Sequence, residues 1–298
     1  MEIDWKRMAM PQPDGYDTLV TLRLAMTSTS LLRPRRYHRL PPDGAPTIFG
    51  GRVAVRNRPS GGLVGTRYVP ASPTHPNLLL AETLVSAWPE VSFQFPKLID
   101  TIQPWSDKTL TAEQWRVAPG SSSHSEEAEF GTIMVTVDSA IALAQAMVHE
   151  MAHHKLRALG ISFLRARRLI TNDPSELYIS PIRKDRKRPM TAVLHAQYSF
   201  IHVTALDIAI YDSSSTTSED RSLGVLLLER NVPKMEAGYA EIKRHARTDD
   251  SGAVFLDSFM SWSRAVLTRG REILHTHTRV RQGVRNILGG TNTCIAKR

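Results

Sequence analysis

The segment "AMVHEMAHHKLRAL", residues 146–159, carries His149, Glu150 and His153 in the spacing H-E-x-x-H. Each residue of an α-helix advances by about 100°, so side chains four apart leave the same face one turn apart. Two imidazoles placed in this way can converge on one metal ion. Glu150 beside them can reach a metal-bound water or support a ligand from behind. Two nitrogens do not hold a catalytic ion well, so a third ligand has to come from elsewhere. His154 points about 100° away from His153 and reads as a surface residue or as support.

The longer peptidase pattern H-E-x-x-H-x-x-G-x-x-H needs glycine at 156 and histidine at 159. Leu156 and Leu159 occupy these positions, which excludes that class. In a second peptidase class a glutamate follows on a later helix. Glu176 is the acidic candidate, but "NDPSELY" reads as a loop. His195 and His202 are better placed, about two turns apart on one expected helix, and one of them is expected to reach the ion.

The elements that must position these groups follow from residue pattern. "TIMVTV" (132–137) is β-branched and bounded by Gly131 and Asp138, which predicts a strand. Residues 138–160 predict a helix, capped by Asp138 or Ser139 and ended by Gly160. Its apolar stripe is Ile141, Ala144, Val148, Met151, Leu156 and Leu159. A polar loop, 119–131, precedes the strand. Residues 16–33 and 76–91 predict helices, the second stopped by Pro89. Residues 34–76 read as irregular, with a short strand at "GRVAV". Helices are expected at 190–212, 221–246 and about 251–286. The fold class is therefore α+β and mainly helical, with a few strands ahead of the motif helix and a helix-rich C-terminal half. No linker, internal repeat or low-complexity segment divides the 298 residues, so one domain is expected, with a less regular portion over 1–110.

Composition narrows the class. Hydrophobic residues make up 41% and charged residues 22%, the balance of a globular chain rather than a disordered one. No apolar run is long enough to cross a bilayer, and the N-terminal residues show no secretory pattern. The single cysteine, Cys294, cannot form an internal disulfide and is expected to be a mobile, reduced thiol. These features together favour the cytoplasm. The net charge of +9 favours acidic partners. Part of it is local, in "RARR" (165–168) and "RKDRKR" (183–188), and no nucleic-acid-binding signature accompanies these runs.

One further stretch narrows the chemistry. "YISPIRKDRKRPMTAVLHAQYSF", residues 178–200, resembles the pattern Tyr-x-Ser-Pro-Trp-Arg-x-Asp-x-Arg-Pro followed by Leu-His-Gly/Ala-x-Tyr-x-Phe. Together with H-E-x-x-H it is similar to the HExxH-type peptide-modification proteins of ribosomally made, post-translationally modified peptide (RiPP) biosynthesis. The resemblance covers roughly 119–205. Ile182 stands where Trp is usual and Ala196 where Gly is common. The loop Arg183-Lys184-Asp185-Arg186-Lys187-Arg188-Pro189 is more basic than usual.

The resemblance implies an iron(II)- and 2-oxoglutarate-dependent dioxygenase. Its substrate would be a ribosomal precursor peptide, hydroxylated at the β-carbon of Asp or a similar residue. His149, His153 and His195 would be the metal ligands, and zinc can occupy such a site in purified protein. O₂ and 2-oxoglutarate would be cosubstrates, with Arg183 or Arg188 receiving the distal carboxylate and Tyr178 or Ser180 adding a hydroxyl donor. Glu150 would orient water or hold a histidine. Tyr198 and Phe200 read as packing residues. The basic loops would attract an acidic precursor peptide. Neither nucleic acid nor membrane is expected as a partner. The alternative is a zinc metallopeptidase with Glu150 as general base. A third reading is a basic peptide-binding accessory protein without catalysis.

Overall fold

A buried strand running into a buried helix is the axis of the fold. In the computed structural model, residues 2–27, 44–57, 67–109, 111, 113–114, 119–127, 129–182 and 185–290 are described. Six strands are β1 (Thr47–Ile48), β2 (Val53–Val55), β3 (Tyr68–Pro70), β4 (Thr101–Asp107), β5 (Ser123–His124) and β6 (Thr132–Thr136). They form one sheet in the order β1-β2-β4-β6-β5, and β3 pairs with the far end of β4. β2–β4 and β4–β6 are parallel; the outer pairings are antiparallel. Every residue of β6 is buried, as expected for a strand flanked by neighbours and covered on both faces.

Gly131, at φ +88°, starts β6. A Cβ there would meet the Asp100 carboxylate at 2.9 Å, so both conformation and space call for glycine. After β6 the chain enters the motif helix. The helices are α1 (Tyr16–Thr27), α2 (Asn77–Val85), α3 (Pro89–Leu98), α4 (Ala140–Ala158), α5 (Met190–Asp212), α6 (Ser218–His245) and α7 (Asp250–Gly290). The chain is thus α+β, with a mixed sheet in the first half and long helices in the second.

α4 lies between two apolar cores. Val148 and Met151 belong to the core made with the sheet, α2 and α3, while Ala152, Leu156 and Leu159 belong to the core made with α5, α6 and α7. A helix that serves two cores is buried all round, and nearly all of α4 is. The amphipathic stripe expected from the sequence therefore describes only part of its contacts. Gly160, at φ +87°, ends the helix as expected. Asp138 does not cap it. Its carboxylate instead accepts from the Ser106 hydroxyl and, at 3.0 Å, from the Asp107 amide, tying β4 to the start of the helix.

Three expectations need correction. Pro89 does not stop a helix over 76–91. That segment is α2, a turn, and then α3, with Trp88 extended and Pro89 at the first helical position. Proline there lacks only an N–H that a helix start leaves unpaired anyway. The loop 119–131 contains β5, which pairs antiparallel with β6. His154 is fully buried rather than at the surface: its Nε2 lies 3.3 Å from the Thr132 carbonyl and its ring meets Phe130 edge-on. The second part of the 16–33 helix and Cys294 lie outside the described residues. No helix among the described residues is long and apolar enough to cross a membrane.

Candidate metal centre

His149 and His153 leave α4 on the face turned to α5. Their Nε2 atoms are 3.0 Å apart. An ion that bonds imidazole nitrogen at about 2.0–2.1 Å reaches both. One ligand atom each of His149, Glu150 and His153 lies within 4.8 Å of the others. His195 comes from the first turns of α5 and is fully buried. Its Nε2 donates to the Ile161 carbonyl at 3.0 Å, which leaves the Nδ1 lone pair facing Nδ1 of His153, also at 3.0 Å. A backbone carbonyl fixing the tautomer of a ligand histidine is the usual support of such a group.

His153 thus faces His149 with one nitrogen and His195 with the other. Its Cε1 is bonded to both of these nitrogens and lies between them. A half-turn of the ring about Cβ–Cγ exchanges Nε2 with Cε1 at unchanged shape. Nε2 then turns to the side between His149 and His195. The ligand atoms that already lie within 4.8 Å of one another are those of His149, Glu150 and His153, and His195 is joined to this group through His153. As placed, the three rings form a hydrogen-bonded chain, from His149 through His153 to His195.

All three imidazoles are held neutral, as metal ligands must be. Burial lowers the pKa of His149 and takes that of His153 well below the ordinary histidine value. Burial, aided by the charge of Arg157, lowers that of His195 to about 3. His202, the other candidate on α5, is elsewhere. Its Nδ1 bonds the Tyr198 carbonyl at 2.8 Å and its ring packs against Tyr198 and Trp262. Seven residues bring a side chain back to nearly the same helix face, but two turns further along, and there α5 meets a different part of the core.

Glu150 is 3% exposed and turns toward β5. Ser123 donates to one carboxylate oxygen at 2.7 Å and Ser125 to the other. Arg157 in turn donates to the Ser125 hydroxyl at 2.8 Å and to its carbonyl at 2.9 Å. This cluster pins the β5 segment against α4. "SSSHS" signals nothing in sequence beyond a polar loop. Only pairing with β6 brings its hydroxyls to Glu150.

His149 and His153 open on a cavity of about 580 Å³, with His195 buried behind them. α4 contributes Gln145, His149 and His153, and α5 contributes Ala192, Ala196, Phe200 and Val203. Small residues at 192 and 196 leave space in front of the histidines. Phe200 stands edge-on to His149 with ring centroids 5.0 Å apart, so this residue, expected only to pack, is also part of the wall. Tyr198 is fully buried and packs against Phe259, as expected.

Three cations, Arg188, Arg230 and Lys234, line the cavity, and no Asp or Glu among the described residues does. Of the residues expected to bind a keto acid, Arg188 and Ser180 are on the wall. Tyr178 is not. Its hydroxyl bonds Asn172 at 2.8 Å and the Glu176 carboxylate, and its backbone pairs with that of Arg188 in both directions. Tyr178 is a brace for the Arg188 strap. Arg183 lies outside the described residues. Arg230 and Lys234 carry no motif; they reach the cavity only because α6 packs across α5.

No protein-family model matches this sequence, and a comparison with curated proteins also finds no match.

Proposed function

We propose that the chain is an iron(II)- and 2-oxoglutarate-dependent oxygenase that hydroxylates a side-chain β-carbon of a ribosomal precursor peptide. The observation that carries this reading is the company the histidines keep. His149 and His153 line a cavity with three cations and, among the described residues, no carboxylate, and His195 stands behind them against His153. Three nitrogen ligands on one side of an ion leave the other side open for a keto acid and O₂. Bound together, iron, 2-oxoglutarate and O₂ supply an oxidant able to remove hydrogen from an unactivated carbon.

The protein's own residues then have distinct tasks. His149, His153 and His195 hold the ion, with the Ile161 carbonyl fixing the third ring. Arg188 offers a planar, two-pronged partner for the distal carboxylate of the keto acid, and Ser180 adds a hydroxyl. Phe163, Ile182 and Phe200 give apolar wall and limit water near the ion. The exposed basic residues Arg165, Arg167 and Arg186 raise the local concentration of an acidic peptide. The cytoplasm, where such a peptide is made, is the compartment we propose.

The proximity of Glu150 to the histidine pair favours a second reading, a zinc peptidase. A general base needs a free oxygen aimed at water. Both oxygens of Glu150 accept serine hydroxyls, and Glu150 is not part of the cavity wall. This arrangement suits support better than proton transfer.

The test is to load the protein anaerobically with Fe(II), add 2-oxoglutarate, and record the visible absorption of a chelated keto acid. A saturable band, weakened in Arg188→Ala, is expected. No band, together with peptide cleavage in the presence of Zn²⁺ alone, would replace this reading with the peptidase.

A further inference from the structure

The cavity has a direction. Three contacts between the helices that wall it, His153 with His195, His149 with Phe200 and Gln145 with Asp207, show that α4 and α5 run antiparallel. Gln145, His149 and His153 therefore mark successive turns along the cavity, each about 6 Å from the next. Arg188 precedes α5 and lies at the His153 end. At the other end, Asp207 accepts the Gln145 amide at 2.7 Å and the Asn231 amide at 3.3 Å. Arg230, next to Asn231, therefore lies at the Gln145 end. The histidines stand between two cations that do not share a position.

Arg230 is built into its place. Its Nη1 donates to the Pro119 carbonyl at 3.1 Å and its Nε to Asn231 at 3.4 Å. Asp207, the carboxyl that acts on Arg230, is fully buried behind the wall rather than in the cavity. Burial pushes its pKa up to about 8 against the pull of Gln145, Arg230 and Asn231. Near neutral pH it is mostly protonated and leaves the guanidinium charge uncancelled. Lys234, one turn further along α6, adds a second positive charge to the same wall.

A keto acid held by Arg188 uses one end only. We infer that Arg230, with the Gln145 amide beside it, is the specificity-determining contact for a carboxylate on the substrate peptide. This inference rests on the oxygenase reading for the identity of the substrate as a peptide. It assigns the two ends of the cavity to two different anions: the cosubstrate at Arg188 and the acidic side chain at Arg230. An anion held one turn from His149 can present its neighbouring carbon toward the ion, whereas an amide in its place offers one neutral acceptor and turns an NH2 donor toward the guanidinium.

The experiment measures binding alone, on the Zn²⁺-loaded full chain, with two probes. One is 2-oxoglutarate, followed by calorimetry. The other is a pair of blocked pentapeptide pools, one with a central Asp and one with a central Asn, followed by competition anisotropy. The wild type is expected to bind the Asp pool at least tenfold more tightly. Arg230→Gln should erase that preference and leave 2-oxoglutarate affinity within twofold. Arg188→Gln should weaken 2-oxoglutarate and keep the Asp preference. Arg230→Lys, which retains the charge, should keep part of the preference and guards against a folding defect in the glutamine variant.

An Asp preference that survives Arg230→Gln would overturn the inference. So would equal binding of both pools by the wild type, or loss of 2-oxoglutarate binding in Arg230→Gln alone. A wild type that shows the Arg230-dependent Asp preference but does not bind 2-oxoglutarate would support the carboxylate subsite and defeat the oxygenase reading.

Discussion

Lys155 is the most informative residue to perturb for stability, because α4 carries it into the core only two residues after a candidate metal ligand. Lys155 and Asp17 have fully buried side chains, and Nζ lies 2.7 Å from Oδ2. Gln94 donates to the same oxygen at 2.5 Å, and the Gln12 amide donates to the other at 3.0 Å. The pair ties α1 to α4. At 2.7 Å and an effective dielectric of about 20, the attraction is about 6 kcal/mol. Lys155→Met removes this attraction but also removes the desolvation of the ammonium. The carboxylate left behind keeps two donors and no counter-charge. Breaking a buried pair in this way costs about 3–5 kcal/mol. That is a large part of the roughly 5–15 kcal/mol that holds a domain folded. Asp17→Asn in the Lys155→Met background removes the stranded charge and should recover at least about 2 kcal/mol. Urea unfolding of the wild type, both single variants and the double variant gives the coupling directly. A loss below about 1 kcal/mol in Lys155→Met, or no recovery in the double variant, would refute the view that α1 is held by this charge pair.

Two further outcomes follow from the packing. Asp207 in the unfolded chain gives up its proton above the ordinary carboxylate value, while in the fold it keeps it to about 8. Between these values the folded state binds more protons, so rising pH disfavours folding through this group. The difference in unfolding free energy between Asp207→Asn and the wild type should therefore move in the variant's favour by about 2 kcal/mol from pH 6 to pH 8, and a gap that stays constant would contradict the buried, protonated carboxyl. Gly252, in the first turn of α7, has no room for a methyl group: a Cβ there would stand 1.9 Å from the Leu169 carbonyl oxygen. Gly252→Ala must push α7 off this backbone and should lose about 3 kcal/mol in thermal or urea unfolding, whereas a loss under about 1 kcal/mol would show that the helix start is free to shift.

Local residue pattern accounts for one part of the molecule. The β-branched run gave β6, the spacing of His149 and His153 put both on one face of α4, and Gly160 marked its end. Such features depend on periods of 2 and 3.6 residues and on the backbone freedom of glycine, all properties of neighbours in the chain. Residue spacing alone did not choose between His195 and His202, since both share a helix face. Tertiary packing separates them by two turns and gives the first to His153 and the second to Trp262. The burial of His154 was hidden because the chain does not say that α4 has a core on each side. Ser123, Ser125 and Arg157 meet Glu150 only through the pairing of β5 with β6. Arg230 reaches the cavity, 77 positions from His153 in the sequence, only because α6 folds back along α5. The pair His149 and His153 could be read from spacing; the third histidine and the charge around the pair could not, because they come from helices that are distant in sequence and adjacent only in space.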